Sequence, residues 1–264
     1  MCLKKRASLF TIIALFSFAN LIILGISLGS DYWIGASSVR DVEALNLTIP
    51  ANSSTGSGSL PLKGFIGTNP IDGTDPGAFR GIMHFGLFQG CKRFNYGTGV
   101  RAPSCFSVFK EHEDVYNLKI VITVIVFILG AIVFGLVATV FGLVNTLTVP
   151  IETIHGPVGL YVWNGIGAIC AFIAWILYLS LYHTDIKHNV LNKVDSSTPY
   201  FFQTDRVEFG YSYWLLIAGF ILFLLNIFFV FLAQCVQDPK FLWRKNKENT
   251  SDSNRNDVGL GLMY

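Results

Sequence analysis

Four long stretches of the chain are apolar, and their interiors contain no Asp, Glu, Lys, Arg or His. A helix needs about 20 apolar residues to cross a hydrocarbon core of about 30 Å, so each stretch is long enough to span a bilayer. The composition agrees, because only 14% of the residues are charged, against about 25% in soluble domains. The sequence therefore predicts an all-α membrane protein, a four-helix transmembrane bundle with spans at residues 7–29, 119–144, 157–182 and 211–236.

The first stretch also fits a cleaved secretory signal peptide. It follows basic residues at positions 4–6, and Ser27-Leu28-Gly29 offers small residues for a peptidase. The apolar region of a signal peptide is usually about 7–15 residues, which is shorter than this stretch. An uncleaved signal anchor is therefore favoured.

Basic residues near the chain ends predict the orientation. Lys and Arg mark the cytosolic side of membrane spans, and they occur in the amino-terminal segment 1–6 and the tail 237–264. Lys110 and Lys119 count against this orientation, and the loop 145–156 holds no Lys or Arg. On balance, both termini are expected in the cytosol.

The long first loop, residues 30–118, has N-glycosylation sequons at Asn46 and Asn52. Sequons are used on the lumenal or extracellular side, so they favour the same orientation. A third sequon at Asn249 would be cytosolic and inert. Residues 46 to about 81 are rich in Gly, Ser, Pro and Thr, a composition that predicts a mobile, glycosylated insert.

The flanks of this insert differ in composition. Residues 32–39 and 82–109 hold aromatic and β-branched residues between turn signals, which predicts a small extracellular antiparallel β-sheet. Residues 201–202 are expected to add one more strand. Cys91 and Cys105 share the loop, and a disulfide between them would contribute about 3 kcal/mol if the loop faces an oxidising compartment. Two free thiols are the alternative.

The second outside loop, residues 183–210, contains His183, Asp185 and His188, which invites a metal site. Residues five apart do not share a helix face, and no third ligand is evident. A solvated cap next to the membrane is favoured, so we predict no metal and no cofactor.

Small and polar residues within the spans predict how the helices pack. Helices in lipid associate through close backbone approach, and small residues four apart mark the contact faces: Gly25 with Gly29, Ala131 with Gly135, and Gly167 with Ala171. The amides of Asn20, Asn164 and Asn226 are expected to face the bundle interior, because an unpaired amide in hydrocarbon is costly. The alternative, a polar transport pathway, usually includes ionisable groups, which these spans lack.

Enzymatic and nucleic-acid functions find no support in the residue pattern. The net charge is only +2, too small for a nucleic-acid-binding surface. No cluster of nucleophile, base and orienting group appears. Glu152 and His155 precede Gly156-Pro157, a turn into a helix, so we assign them a capping or turn role.

Two sequence features near the cytosolic face suggest attachment points. Leu262, Met263 and Tyr264 place apolar side chains at alternate positions, as a ligand for a PDZ scaffold would; a disordered tail is the alternative. Cys2 and Cys235 lie at the cytosolic membrane edge and are candidates for reversible acylation, with inert cysteine as the alternative.

The order Trp33, then Gly86-Leu87-Phe88, then Cys91 and Cys105 resembles the tryptophan, Gly-Leu-Trp, cysteine, cysteine signature of claudin-like tetraspan proteins. Phe88 stands where that signature has tryptophan.

Within this superfamily, the chain resembles the clarin family. Residues 85–90 are similar to its Tyr-Gly-Leu-Phe-x-Gly, and residues 152–161, with Gly156, Pro157 and Gly159, are similar to its segment entering the third span. The hydrophobic residues and Tyr at the chain end also match the family's style. Residues 162–165 and 209–214 are most similar to the clarin-3 type.

The resemblance implies a function. It implies a non-enzymatic plasma-membrane protein that organises or scaffolds membrane and cytoskeletal complexes, a role linked in the family to actin-rich protrusions and sensory cells. Its partners would be the lipid bilayer and other membrane proteins, but not nucleic acid. An auxiliary channel subunit or a claudin-like cell-cell barrier component is the alternative.

Overall fold

The computed structural model describes residues 2–40, 80–95, 102–111, 115, 117–147, 156–197 and 202–237. The chain divides into two compact units. The helical unit comprises Met1–Gly25, Phe127–Phe172 and Ile217–Tyr264, and the sheet unit comprises Ile26–Val126 and Ile173–Leu216. Each unit has buried residues of its own.

Among the residues just given, four long helices contribute residues to both units: α1 (Cys2–Gly29), α2 (Leu118–Leu147), α3 (Pro157–Leu181) and α4 (Tyr211–Gln237). Each is long and apolar enough to cross a membrane. Large apolar side chains remain exposed on them, such as Leu15, Val126, Ile169 and Phe228. Such outward faces suit a lipid solvent, because lipid tails are as apolar as leucine. The predicted four-helix fold class is confirmed.

Helix α3 has a distinct start and end. It begins at Pro157, which lacks an N–H and is therefore suited to the first helical turn. The amide of Gly159 donates to the Gly156 carbonyl at 3.1 Å. At its other end the helix continues into one turn of π-helix, Tyr182–Ile186.

Phe223 of α4 lies at a close contact in the helical unit. It is fully buried, as are Ala131 and Ala171. A Cβ placed on Gly135 would lie 3.4 Å from the Phe223 ring, and one on Gly167 would lie 2.7 Å from it. Two of the three predicted small-residue pairs therefore lie where helices approach closely.

The third predicted pair, Gly25 with Gly29, is wrong as a packing site. A Cβ placed on either glycine would have nothing within 4 Å. Both glycines lie on the exposed side of α1, whereas Leu24 and Ser27 are buried. The buried face of α1 is formed by those neighbouring positions instead.

The three asparagines within the spans are fully buried, as predicted. Asn226 Nδ2 donates to Ser17 Oγ at 3.0 Å, and Asn164 Nδ2 donates to the Leu160 carbonyl at 2.8 Å. The amide of Asn20 has no hydrogen-bond partner among the described residues. Apolar and small residues occupy most of the buried positions in the described part of the helical unit.

In the described part of the sheet unit there are five strands: β1 (Ile34–Arg40), β2 (Arg80–Phe85), β3 (Gln89–Phe94), β4 (Ser104–Ser107) and β5 (Phe202–Phe209). Their order across the sheet is β4-β3-β2-β1-β5, and every neighbouring pair is antiparallel. Strand β5 comes from the segment before α4 and adds one more strand to the sheet, as predicted from residues 201–202; its partner is β1. The small antiparallel sheet is confirmed.

Alternating burial gives the sheet two different faces. Along β2, Met83 and Phe85 are buried while Ile82 and His84 are partly or largely exposed. Residues alternate between faces because successive strand side chains point in opposite directions. The face that carries Met83 and Phe85 is the buried face of the sheet, and it also includes Ile34 of β1.

Candidate functional site

Trp33 connects four segments of the sheet unit. Its ring is fully buried and lies 4.5 Å from the ring of Tyr178 in α3. Its indole Nε1 donates to the Ser27 carbonyl at 2.6 Å, near the end of α1. Its backbone amide donates to the Phe85 carbonyl at 3.1 Å, and its carbonyl accepts from the Gly210 amide at 2.8 Å. Trp33 therefore orients the sheet against the helix ends of the same unit.

An aromatic cluster continues from Trp33. The Tyr213 ring lies 4.1 Å from Phe209 and 6.2 Å from Tyr178, and Phe209 lies 4.0 Å from Tyr182. Trp175 Nε1 donates to the Tyr213 hydroxyl at 2.7 Å. Aromatic pairs at these separations contribute about 0.5–1.5 kcal/mol each beyond area burial. The cluster is a structural core rather than a ligand pocket.

Two glycines permit close backbone approach around Trp33. A Cβ on Gly86 would collide with the Ser30 carbonyl, and a Cβ on Gly210 would collide with the Tyr32 carbonyl. Backbone atoms cannot move aside as a flexible side chain can. Any larger residue at either position would push the sheet away from the end of α1.

The Gly-Leu-Phe segment continues after Gly86 with one buried and one exposed side chain. Leu87 is 1% exposed, whereas Phe88 is 39% exposed. The Phe88 ring lies 6.3 Å from that of Phe109, and its carbonyl accepts from the Val108 amide at 3.0 Å. Leu87 therefore belongs to the core, and Phe88 presents an aromatic ring at the surface.

The predicted disulfide is confirmed: Cys91 of β3 is bonded to Cys105 of β4. The two cysteines are directly paired across the strands. In the chain-entropy model a loop of this size contributes about 3 kcal/mol. The bond ties the edge strand β4 to the rest of the sheet.

Lys92 lies at the centre of an ion-paired group inside the sheet unit. Its Nζ lies 2.7 Å from Asp195 Oδ2 and 3.0 Å from Glu111 Oε2. Glu111 ends the helical turn Val108–Glu111, and Asp195 lies in the turn Lys193–Ser196, where Asn192 caps the Asp195 amide. Only 8% of the Asp195 side chain and 13% of the Lys92 side chain are exposed. Lys92 therefore connects β3 to both turns.

The surroundings of Lys92 keep it protonated. Burial works against its charge, but the hydrogen bonds and charges of Asp195 and Glu111 together outweigh this effect, so the pKa of Lys92 is raised. A low-dielectric position strengthens such an ion pair, because fewer water molecules screen it. The group is a structural ion pair at physiological pH.

Three side chains with metal-ligating atoms meet at the other face of the sheet. The ligand atoms of Asp31, His84 and Cys91 all lie within 4.8 Å of one another. His84 Nε2 lies 3.5 Å from Asp31 Oδ2. The described residues contain this one such group.

Comparison with known proteins decides the family. A sequence model described as Clarin-2-like matches residues 62–230, more than half of the chain. The chain belongs to the clarin family. Human (Homo sapiens) clarin-1 is 28% identical over 264 residues, 99% of each chain. Mouse (Mus musculus) clarin-2 is 28% identical over 76% of this chain and 87% of its own, and human clarin-3 is 22% identical over 58% and 68%.

Clarin membership agrees with the resemblance drawn from the sequence motifs. It makes the chain a tetraspan membrane protein of a family whose members are not known as enzymes. The clarin-3 type is not specifically favoured, because clarin-1 and clarin-2 match over larger shares of the chain. The short motifs at residues 162–165 and 209–214 were too few to decide the type.

Of the remaining predicted sites of this clarin, Cys2 and Cys235 lie on helices, and the others lie outside the described residues. Cys235 is a partly exposed free thiol near the end of α4. Cys2 opens α1, but its side chain is outside the described residues. Also outside the described residues are the glycosylation sites Asn46 and Asn52, the loop residues Glu152 and His155, and the terminal residues Leu262, Met263 and Tyr264.

The loop before α4, residues 183–210, has contacts of its own. The backbone amide of Asn117 donates to Asp185 Oδ2 at 3.3 Å. The ring of His183 packs edge-on against that of Tyr182, with 5.3 Å between the ring centroids. Among the described residues, His183, Asp185 and His188 are not part of a three-ligand group.

Sequence reasoning missed both polar groups of the sheet unit. Lys92 is separated from Glu111 by 19 residues and from Asp195 by 103. No local spacing rule relates residues so far apart. The register that places Lys92 opposite Met83 on the buried face of the sheet is known only from the structure, so the sequence carried no signal for this contact.

Proposed function

We propose that this clarin organises other membrane proteins into complexes, with the sheet unit as its recognition element and without catalysis of its own. The observation that supports this most is how the reactive side chains of that unit are engaged. Cys91 is disulfide-bonded, and Lys92 is ion-paired with Glu111 and Asp195. These groups stabilise the fold, so the unit offers a partner a shaped surface rather than a reactive group.

The outer face of the sheet is the surface best suited to a protein partner. Ile82 and Val39 are 36% and 37% exposed, and the exposed Arg93 is paired with Ile82 across the strands. Val39 lies two residues after Ser37, which pairs with Ile82, so all three side chains share one face. Apolar contacts beside an Arg are typical of interface centres. The partner surface would be apolar with an acidic rim.

Co-purification from native membranes tests this proposal. Ile82→Glu should reduce recovery of partner membrane proteins several-fold, whereas Lys110→Glu, an exposed change elsewhere in the sheet unit, should leave recovery unchanged. Both variants must retain the Cys91–Cys105 disulfide, which a gel-shift assay of free thiols reports. Equal recovery with both variants would exclude this face as the recognition surface.

An auxiliary channel subunit or a cell-cell barrier component is the second candidate. It is supported by the disulfide-closed sheet with an exposed aromatic ring at Phe88, the position of tryptophan in the claudin-like signature. Expression with and without the protein in epithelial monolayers tests it. A change in transepithelial resistance or in a resident channel current supports this candidate, and unchanged values leave the organiser role.

The proposed topology places both termini in the cytosol of the plasma membrane. Loops 30–118 and 183–210 would then be outside, and loop 145–156 inside. Glycosylation of Asn46 and Asn52 supplies the test: glycosidase treatment should lower the apparent mass of the parent chain but not of the Asn46→Gln/Asn52→Gln variant. Protease protection of the tail in sealed vesicles provides an independent measurement. A protected tail together with unmodified asparagines would reverse the orientation.

The cytosolic side would add two kinds of attachment point. Leu262, Met263 and Tyr264 form the proposed PDZ ligand, so deleting them should abolish recovery of PDZ scaffolds without changing membrane partners. Cys2 and Cys235 are the proposed acylation sites, and an acyl-exchange assay on each Cys→Ser variant should show a reduced signal. An unchanged signal in both variants would reject acylation.

A further inference from the structure

The group formed by Asp31, His84 and Cys91 has a geometry that nothing in the proposed function uses. Asp31 precedes β1, His84 lies on β2 and Cys91 lies on β3. Their ligand atoms lie within 4.8 Å of one another, and all three residues are partly exposed. A dissolved cation can therefore reach the group without opening the core.

The sheet register holds two of these side chains, His84 and Cys91, on one face. His84 pairs directly with Cys91, and Cys91 pairs directly with Cys105. Directly paired residues of antiparallel strands point to the same side of the sheet. The ring of Tyr32 stacks on that of His84 at 4.2 Å and 6°, and His84 Nε2 is directed at Asp31 Oδ2. The imidazole is thus oriented before any ligand arrives.

We propose that this group becomes a binding site for Zn²⁺ or a similar borderline divalent cation when the Cys91–Cys105 disulfide is reduced. Imidazole nitrogen, thiolate sulfur and carboxylate oxygen are the ligand types that Zn²⁺ takes in proteins. Reduction would also free the thiol of Cys105, which is paired with Cys91 across the strands and would supply the fourth ligand. In the oxidised protein Cys91 Sγ carries a covalent bond and no charge, so only Asp31 and His84 remain as ligands.

The redox step balances with a thiol reductant. Two electrons from two thiols break the Cys91–Cys105 bond, leaving two cysteine thiols and one oxidised reductant disulfide. Each cysteine then loses a proton as it binds the cation, because the thiolate is the ligand. Disulfide and metal are mutually exclusive states of one site. In the reduced chain the cation would hold β2, β3 and β4 together in place of the covalent bond.

The test uses the full chain in detergent micelles, with Cys2, Cys170 and Cys235 replaced by serine so that two cysteines remain. Co²⁺ serves as the probe, because tetrahedral thiolate coordination gives it charge-transfer and visible absorption bands. After treatment with a phosphine reductant the protein should bind one equivalent of Co²⁺, and Zn²⁺ should displace it. The oxidised protein should bind none.

Substitutions of the two ligands that are not cysteines test whether the whole site, rather than the cysteines alone, binds the metal. His84→Ala and Asp31→Asn should each weaken Co²⁺ binding by at least about tenfold, whereas His183→Ala, a histidine elsewhere in the sheet unit, should have no effect. Zn²⁺ should also slow proteolysis of the reduced parent chain, which reports the structural role directly.

Several outcomes would overturn the proposal. These are equal binding by oxidised protein, full binding by the Cys91→Ser variant, and unchanged affinity in both His84→Ala and Asp31→Asn. Reduced protein that loses its protease resistance and does not regain it with Zn²⁺ would also reject the site. None of these results bears on the organiser role, which the co-purification of Ile82 variants tests separately.

Discussion

The helical unit and the sheet unit are stabilised by different kinds of contact. In the helical unit a large ring, Phe223, fits against Gly135 and Gly167, and Asn226 donates a hydrogen bond to Ser17. In the sheet unit the indole of Trp33, the ammonium of Lys92 and a disulfide each make a specific bond. The difference follows from the solvent. Burying apolar side chains is favourable when they leave water, but not when they leave lipid, because lipid tails are equally apolar.

The largest expected loss of stability comes from Trp33→Ala in the sheet unit. The change removes a fully buried ring and the hydrogen bond to Ser27, and we expect a loss of about 4 kcal/mol in unfolding free energy. Trp214→Ala is the control, since Trp214 is 59% exposed. Denaturant unfolding in micelles measures both. Equal effects of the two variants would show that the buried indole does not organise the unit.

Lys92→Met is expected to have the next largest effect, about 3 kcal/mol, because it leaves the buried Asp195 carboxylate without its cation. The exposed Lys110→Met should change stability by less than about 0.5 kcal/mol. Thermal unfolding of the two variants at neutral pH provides the comparison.

The same ion pair predicts a pH dependence. The pKa of Lys92 is raised in the folded protein, so its contribution is complete below the unfolded value of about 10.4 and is lost as pH rises through the folded pKa. The parent chain should therefore lose stability in this alkaline range, relative to Lys92→Met. Parallel pH profiles for the two proteins would contradict the assignment.

A pair of glycines on α3 tests close packing in the helical unit. A Cβ on Gly167 would meet the Phe223 ring at 2.7 Å, whereas one on Gly165 would meet nothing within 4 Å. Gly167→Ala should destabilise by about 1–3 kcal/mol through overpacking. Gly165→Ala should be neutral or slightly stabilising, because Ala favours helix. A steric trapping or unfolding assay compares them, and the reverse order would disprove the packing account.

The smallest expected effect is the coupling between Asn226 and Ser17. A double-mutant cycle with alanine at both positions should give about 0.6 kcal/mol, the typical value for a hydrogen bond between membrane helices. A coupling several times larger would mean that polar bonds, rather than packing, hold the helical unit together.

Much of this architecture was predictable because it depends on local patterns. The absence of charge over long apolar runs indicated the four helices, and aromatic and β-branched residues between turn signals at residues 32–39 and 82–109 indicated short strands. The Cys91–Cys105 bond followed from two cysteines in one loop. These features need only the residues of one segment and the solvent that it meets.

The remainder could not be predicted because it depends on distant segments meeting. The contact between Lys92 and Asp195 joins residues 103 positions apart, and the group of Asp31, His84 and Cys91 forms only when β2 and β3 pair. The Gly25 and Gly29 pair shows the converse error. Their spacing fits a packing face, but the apolar neighbours decide which side of α1 is buried.

The place of β5 beside β1 has a consequence for biosynthesis. Strand β1 follows the first helix, but its second neighbour, β5, precedes the last one. During synthesis, one edge of β1 therefore stays unpaired until Phe202–Phe209 has left the ribosome. Truncated products that end before residue 202 would keep that edge open, and quality-control chaperones that recognise unpaired strands would retain them.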